Sequence, residues 1–261
     1  MDAQDRLSQI LTLARDRGRV DVSTLAPELG VAPETVRRDL AALVSRGLLR
    51  RVHGGAIPAE SAAFETDAGY RAQANVAQKR RIAAASARLL EGAESVFIDE
   101  GFTPLLVAEE LSLLGRLVVV TASLPAALAL TNDPHATVLV LGGRMRGRTS
   151  ATVDHWALRM LGEMWIDVAF LGANGISRDR GVTTPDPAVA AMKQEAVRRS
   201  RRRILIADHT KFGCNPMVRL GNISEVDALF TDRQPPASIR EILDKGGVAL
   251  HVSDTADDEN T

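Results

Sequence analysis

Two groups of residues in this 261-residue chain have the types and spacing for binding chemistry. The first is continuous: Glu34, Thr35, Arg37, Arg38 and Ser45, then Arg50, Arg51, His53 and Gly54. Arginines beside small residues suit a DNA major groove, where a guanidinium reads guanine or holds phosphate. The second is dispersed: Asp99, Gly101, Phe102 and Thr103; Gly142, Gly143 and Arg144; Asn174; Lys193; Asp208 and Lys211. All but Lys193 follow an apolar run. Glycine turns with free N–H groups, an arginine loop and a lysine are the groups that hold a small anion. Covalent chemistry has no such support. His53, His135, His155, His209 and His251 lack metal-ligand spacing, and no HExxH, GxSxG or Walker A pattern occurs. No cofactor or metal is expected. The single Cys214 excludes an intrachain disulfide and reads as a small buried apolar residue.

The first group needs a helix and a hairpin to present it. Pro33 suits a first helical position, and Val36, Leu40 and Leu43 recur at i, i+4, i+7 to face a core. Arg38 then centres the opposite face among Glu34, Ala41, Ala42 and Ser45, with Thr35 and Arg37 at its edges. Gly47 is read as the helix stop, and Arg50-Arg51 through Gly54-Gly55 as a hairpin wing. Upstream, Leu7, Ile10, Leu11 and Ala14 form a stripe ending near Gly18. Ser23 is read as the cap of a short second helix ending at Gly30, with Pro27 one turn from its start. Three short helices and a wing make a winged helix-turn-helix. A plain helical bundle with solvated arginines is the bland alternative, and the agreement of helix order, turn, wing and charge argues against it.

The second group needs a sheet. Helices at 76–90, after Pro104, and at 123–131, 153–164 and 187–200 alternate with apolar runs at 95–99, 117–121, 137–141, 168–171 and 203–207. Weaker runs lie at 226–230 and 248–252. Strands that are apolar throughout and alternate with helices imply a mostly parallel α/β sheet covered on both faces, with ligands beyond the carboxyl ends. The expected division is 1–57 winged helix-turn-helix, 58–74 connector, 75–252 effector-sensing domain and 253–261 a disordered acidic tail. Net charge is −1, but residues 33–53 carry five arginines against Glu34 and Asp39, a local +3. Modest non-specific DNA affinity and a paired or higher oligomer follow. No secretory segment opens the chain and no apolar run spans a bilayer, so a cytoplasmic, membrane-free protein is expected.

Thr35-Val36-Arg37-Arg38-Asp39-Leu40 followed by Arg51-Val52-His53-Gly54-Gly55-Ala56 resembles the DeoR family of bacterial transcriptional regulators. The resemblance continues through Asp99-x-Gly101-Phe102-Thr103, Leu141-Gly142-Gly143, Leu171-Gly172-Ala173-Asn174-Gly175-Ile176 and Asp208-x-Thr210-Lys211-Phe212-Gly213. It implies an effector domain of the sugar-phosphate isomerase and CoA-transferase type. It also implies that the Gly101–Thr103 turn and Lys211 hold the phosphate of a sugar or polyol, with Lys193 lining the same cleft. Three residues depart from the family pattern: Phe102 for a hydroxyl, Ala122 for an asparagine, and Asp154 for a glycine. The implied protein is a homo-oligomer, dimer or tetramer, that represses a carbohydrate catabolic operon by binding double-stranded operator DNA. The rival is a sugar-phosphate isomerase or transferase with an appended DNA-binding domain. Such isomerases carry acids in the loop where this chain has Asn174 and Gly175, so no enzymatic activity is expected.

Overall fold

The computed structural model describes residues 3–17, 19–46, 48–58, 74–90, 92–111 and 116–253. The helix stop at Gly47, nearly all of the connector and all but Ser253 of the acidic tail lie outside them. The chain divides into two compact units, 1–71 and 72–261.

In the first unit, α1 (Ala3–Arg17), α2 (Val22–Leu29) and α3 (Pro33–Ser45) enclose Leu7, Ile10, Leu11, Ala14, Leu25, Val36, Leu40 and Leu43, all buried. These are the residues whose helical spacing marks a core face. Pro33 occupies the first turn of α3, where its missing N–H costs nothing. Gly30 ends α2 in the left-handed conformation, φ 65°. Two expectations fail at α2. Its N-cap is Asp21, whose side chain makes no capping bond, and Ser23 lies inside the first turn. Pro27 is therefore the sixth of eight residues and sits opposite the Ser23 carbonyl, a loss tolerated because the helix ends two residues later. Strands β2 (Leu49–Val52) and β3 (Gly55–Pro58) form the wing. A two-residue strand β1 (Val20–Asp21) joins β3 and gives the order β1-β3-β2.

The second unit is built on seven parallel strands: β4 (Ser95–Ile98), β5 (Leu117–Thr121), β6 (Ala136–Val140), β9 (Ile166–Gly172), β12 (Ser200–Ile206), β14 (Ala228–Thr231) and β15 (Ala249–Val252). Their order is β15-β14-β12-β9-β4-β5-β6. The chain starts at β4, runs out to β6, and returns to the far side of β4 at β9. The β4/β9 boundary is thus the point where strand order reverses and a crevice opens at the carboxyl ends. One face carries α4 (Val76–Ala87), α5 (Phe102–Leu111) and α6 (Leu124–Leu130) over Ile82, Leu106, Val107, Leu130, Val168 and Phe170. The other carries α7 (His155–Gly162), α8 (Pro187–Arg199) and α9 (Ala237–Gly246) over Phe97, Leu161, Val189, Leu171, Leu205 and Leu243.

Several details depart from the sequence reading. Helix α5 begins at Phe102, with Pro104 inside its first turn, and α9 had no counterpart in that reading. Residues 142–148, expected as an arginine-bearing loop, belong to a hairpin of β7 (Arg144–Arg146) and β8 (Ala151–Val153). A small antiparallel sheet of β10 (Gly175–Ser177), β11 (Gly181–Thr184) and β13 (Val218–Gly221) is also additional. Finally, β6 is apolar but not covered: it is an edge strand, and Leu139 and Val140 are each 41% exposed.

Candidate functional site

In the first unit, α3 presents Glu34, Arg37, Arg38 and Ser45 outward, with Thr35 half-buried at the edge. Two of the charges are already engaged. Arg37 donates to Glu34 at 2.8 Å, and the buried Asp39 accepts from Arg6 Nε at 2.6 Å. The Arg6–Asp39 pair ties α1 to α3 and fixes the roll of the outward face. It leaves Arg38, together with Arg50 and Arg51 on the wing, exposed and without an ion-pair partner among the described residues. The wing tip is fastened by Arg19, which donates to the His53 carbonyl at 3.0 Å, and by Val22 N–H donating to Gly54 O at 3.0 Å. Arg19 also bonds Asp21, and that hydrogen bond lowers the Asp21 carboxyl's pKa. Gly54 adopts φ 79°, and a Cβ on Gly55 would stand 2.0 Å from the Val20 carbonyl, so both glycines are required by the turn.

In the second unit, three of the four expected loops meet at the β4/β9 crevice. Asp99, 2% exposed at the end of β4, accepts from the Gly172 N–H at 2.8 Å and from the ammonium of Lys193. Lys193, equally buried on α8, also donates to Gly172 O at 3.1 Å. The strand ends are thereby locked by one buried ion pair. A second pair lies beside it. Asp208, 1% exposed at the end of β12, faces Lys79 Nζ at 3.9 Å, and its Oδ1 accepts from Thr210 N–H at 3.0 Å and Asn75 Nδ2 at 3.4 Å. Burial pushes the Asp208 carboxyl up, but Lys211, Lys79 and the Thr210 bonds outweigh it and hold the group down at about 2. Asp208 is an anion at any physiological pH, and its charge steadies both lysines.

Lys79 was not among the residues singled out from the sequence. It is 4% exposed on α4, donates to Ala74 O at 2.7 Å, and lies 5.6 Å from the centroid of the Phe102 ring. Phe102, which replaces a hydroxyl of the family pattern, therefore offers an aromatic face to a cation at the start of α5. Gly101 supplies the turn at φ 116°, and the N–H groups of Phe102 and Thr103 fall in the first turn of α5, where a helix supplies them no partner. Lys211 is half-buried. Asn174 accepts from the Thr184 hydroxyl at 3.0 Å.

The fourth loop is different. Gly142 N–H points at Met160 Sδ, 3.2 Å away. Gly143 turns at φ 155°, where a Cβ would meet the Val153 carbonyl at 2.4 Å. Arg144 bonds Asp154 at 2.6 Å and its side chain is 63% exposed. Asp154 has φ 79°, which explains why glycine is the family's usual residue there. The basic residue that reaches the crevice is Arg146, 8% exposed on β7, with Asp186 at 3.2 Å, Thr149 at 3.1 Å and Glu100 at 3.4 Å. The contacts with Glu100 and Asp186, which a glycine-rich arginine run does not reveal, hold Arg146 inward. His209 adds a further group: its Nδ1 lies 2.6 Å from the buried Asp232.

Residues 74–233 match the family model described as the DeoR C terminal sensor domain, and residues 6–62 match the DeoR-like helix-turn-helix domain. The glycerol-3-phosphate regulon repressor of Escherichia coli strain K12 is 32% identical over 97% of this chain and 100% of its own. The HTH-type transcriptional regulator GlpR of Haloferax volcanii is 34% identical over 94% of this chain and 96% of its own. Among solved structures, the ribose 5-phosphate isomerase A of Methanocaldococcus jannaschii aligns over 53% of this chain and 55% of its own, at 14% identity and a TM-score of 0.40. With both halves matched and full-length relatives named as regulators, the chain belongs to the DeoR family of DNA-binding transcriptional regulators.

Proposed function

We propose that this protein is a repressor of a carbohydrate catabolic operon that releases its operator when a small phosphorylated polyol or sugar binds at the β4/β9/β12 strand ends. The observation that carries the reading is the convergence of Lys79, Lys193 and Lys211 on a crevice that also holds the Gly101–Thr103 helix start. Asp99 and Asp208 neutralise two buried ammonium groups, and the half-buried Lys211 remains to meet an incoming dianion. Phe102 narrows the phosphate turn, which favours a short polyol phosphate over a hexose phosphate. The name of the Escherichia coli relative refers to glycerol 3-phosphate, which is accordingly the first compound to test. On this reading Asp99, Asn174 and Asp208 orient ligand hydroxyls and lysines. Release requires that the ligand bind the DNA-incompetent arrangement more tightly, since equal affinity for both arrangements shifts nothing.

The test is fluorescence anisotropy on DNA from upstream of the protein's own gene, titrated with glycerol 3-phosphate, other polyol and sugar phosphates, and their unphosphorylated parents. Tight binding relieved by a phosphorylated compound and not by its parent is the expected result. Lys211→Ala should bind DNA as the wild type does and respond to the compound at least tenfold less sensitively. Binding indifferent to every phosphorylated compound overturns the effector assignment and leaves the regulator.

A further inference from the structure

We infer that the β6 edge of the sensor unit is the surface on which a second copy of this chain docks, joining two seven-stranded sheets across a two-fold axis. Eight large apolar residues are conspicuously exposed among the described residues, and five of them gather here: Leu139 and Val140 on β6, Met145 on β7, and Trp156 and Met160 one turn apart on α7. Alternation along the strand sends Leu139 and Val140 to opposite faces of the sheet, and Met160 Sδ against Gly142 N–H places α7 beside the end of β6, so apolar side chains flank the edge on both faces. A sixth, Leu128, is 72% exposed on α6, the helix packed on β6. The patch is not the scatter of single apolar residues that any surface carries.

The strand itself has none of the devices that keep an edge solitary. Ala136-Thr137-Val138-Leu139-Val140 contains no charge, no proline and no glycine, and its outer backbone groups have no ladder partner among the described residues. A second copy offers the matching row. Antiparallel pairing across a two-fold axis puts the same strand opposite itself, the self-complementary contact of an isologous dimer. Covering the five side chains removes roughly 500 Å² per copy, and the flanking backbone and rim bring this toward the ~800 Å² per partner of a standard interface. The surface also lies one residue from the effector crevice. Met145 is half-exposed (49%) on β7, while the adjacent Arg146 is buried against Glu100 and Asp186.

Two single variants test this in the full-length chain: Leu139→Lys on the strand and Trp156→Glu on α7. Trp156 is 59% exposed, so its replacement spares the core. In sedimentation equilibrium at micromolar concentration the wild type is expected to be a dimer or an even-numbered multiple. Each variant should raise the dimer dissociation constant at least tenfold while keeping the wild-type far-UV circular dichroism and melting of the sensor unit. A monomeric wild type overturns the assignment. If β6 amides in such a monomer are protected from hydrogen exchange, another segment of the same chain covers the strand instead. An oligomer that neither variant weakens also overturns it and places the interface elsewhere. These readouts do not involve the effector, so they stand or fall apart from the ligand reading.

Discussion

Asp208 is the residue that governs the charge of the strand-end crevice. Its carboxyl is held at about 2 against an ordinary 3.8, so the folded state gains from its ionisation. The gain is complete above the unfolded value and is lost as pH falls from 3.8 through 2. A displacement of that size corresponds to about 2 kcal/mol. Asp208→Asn should therefore lower the stability of the sensor unit by at least about 2 kcal/mol in urea unfolding at pH 7, and the gap to wild type should close as the pH is taken down to 2. A pH-independent gap would show that the loss is one of packing and not of charge. The DNA-reading head has its own decisive residue. Arg38 is exposed at the centre of the outward face of α3 and has no ion-pair partner among the described residues, whereas Arg37 is shared with Glu34. Arg38→Ala should weaken operator binding by about 1–3 kcal/mol if its contact is bidentate to a base, and Arg37→Ala by less. Equal losses in anisotropy titrations would move the centre of the DNA-facing surface away from Arg38.

At the scale of elements, the wing depends on a contact that only glycine permits. A Cβ at Gly55 would stand 2.0 Å from Val20 O and 2.9 Å from Asp21 Cα, across the β1–β3 pairing. Gly55→Ala should cost the head about 1–3 kcal/mol, as overpacking does, and reduce operator affinity, while thermal stabilisation of the sensor unit by ligand stays unchanged. A lowered response in the sensor unit would show that the substitution acts beyond the head. The elements that sequence made legible are those governed by local periodicity. Val36, Leu40 and Leu43 announce α3, and unbroken apolar runs announce the strands of the parallel sheet. Their carboxyl ends then locate Asp99, Gly101 and Asp208 without further information. What was not legible depends on pairing between distant residues. Segments as short as Gly175–Ser177 and Val218–Gly221 carry too few residues to show an alternation, and β13 meets β11 only after α8 and β12 intervene. Lys79 sits on an alanine-rich helix where a lone lysine reads as a solvated face, and its burial arises from Asp208, 129 positions later. Arg146 reads as one of three loop arginines, and the carboxylates of Glu100 and Asp186 that bury it lie 46 and 40 positions away in the chain.

At the scale of the whole molecule, the net charge of −1 sets the terms of DNA binding. A chain with no global positive field gains little from non-specific attraction, so its operator affinity has to come from local contacts, counted twice where two copies pair as proposed above. Among the described residues each head offers three exposed arginines without an ion-pair partner: Arg38 on α3 and Arg50 and Arg51 on β2. If each neutralises one phosphate, the slope of log affinity against log salt is about −3 for one head and about −5 for two. The wild type should show the steeper value in anisotropy titrations between 50 and 200 mM salt, a range over which such slopes are well resolved. Trp156→Glu, which acts on the sensor unit and touches none of these arginines, should fall to the shallower value as the paired heads separate. A wild-type slope of about −2 would instead mean that the arginines of the wing stand clear of the phosphates and only Arg38 of each head contributes. An unchanged slope in a variant that has become monomeric would mean that one head makes all the ionic contacts.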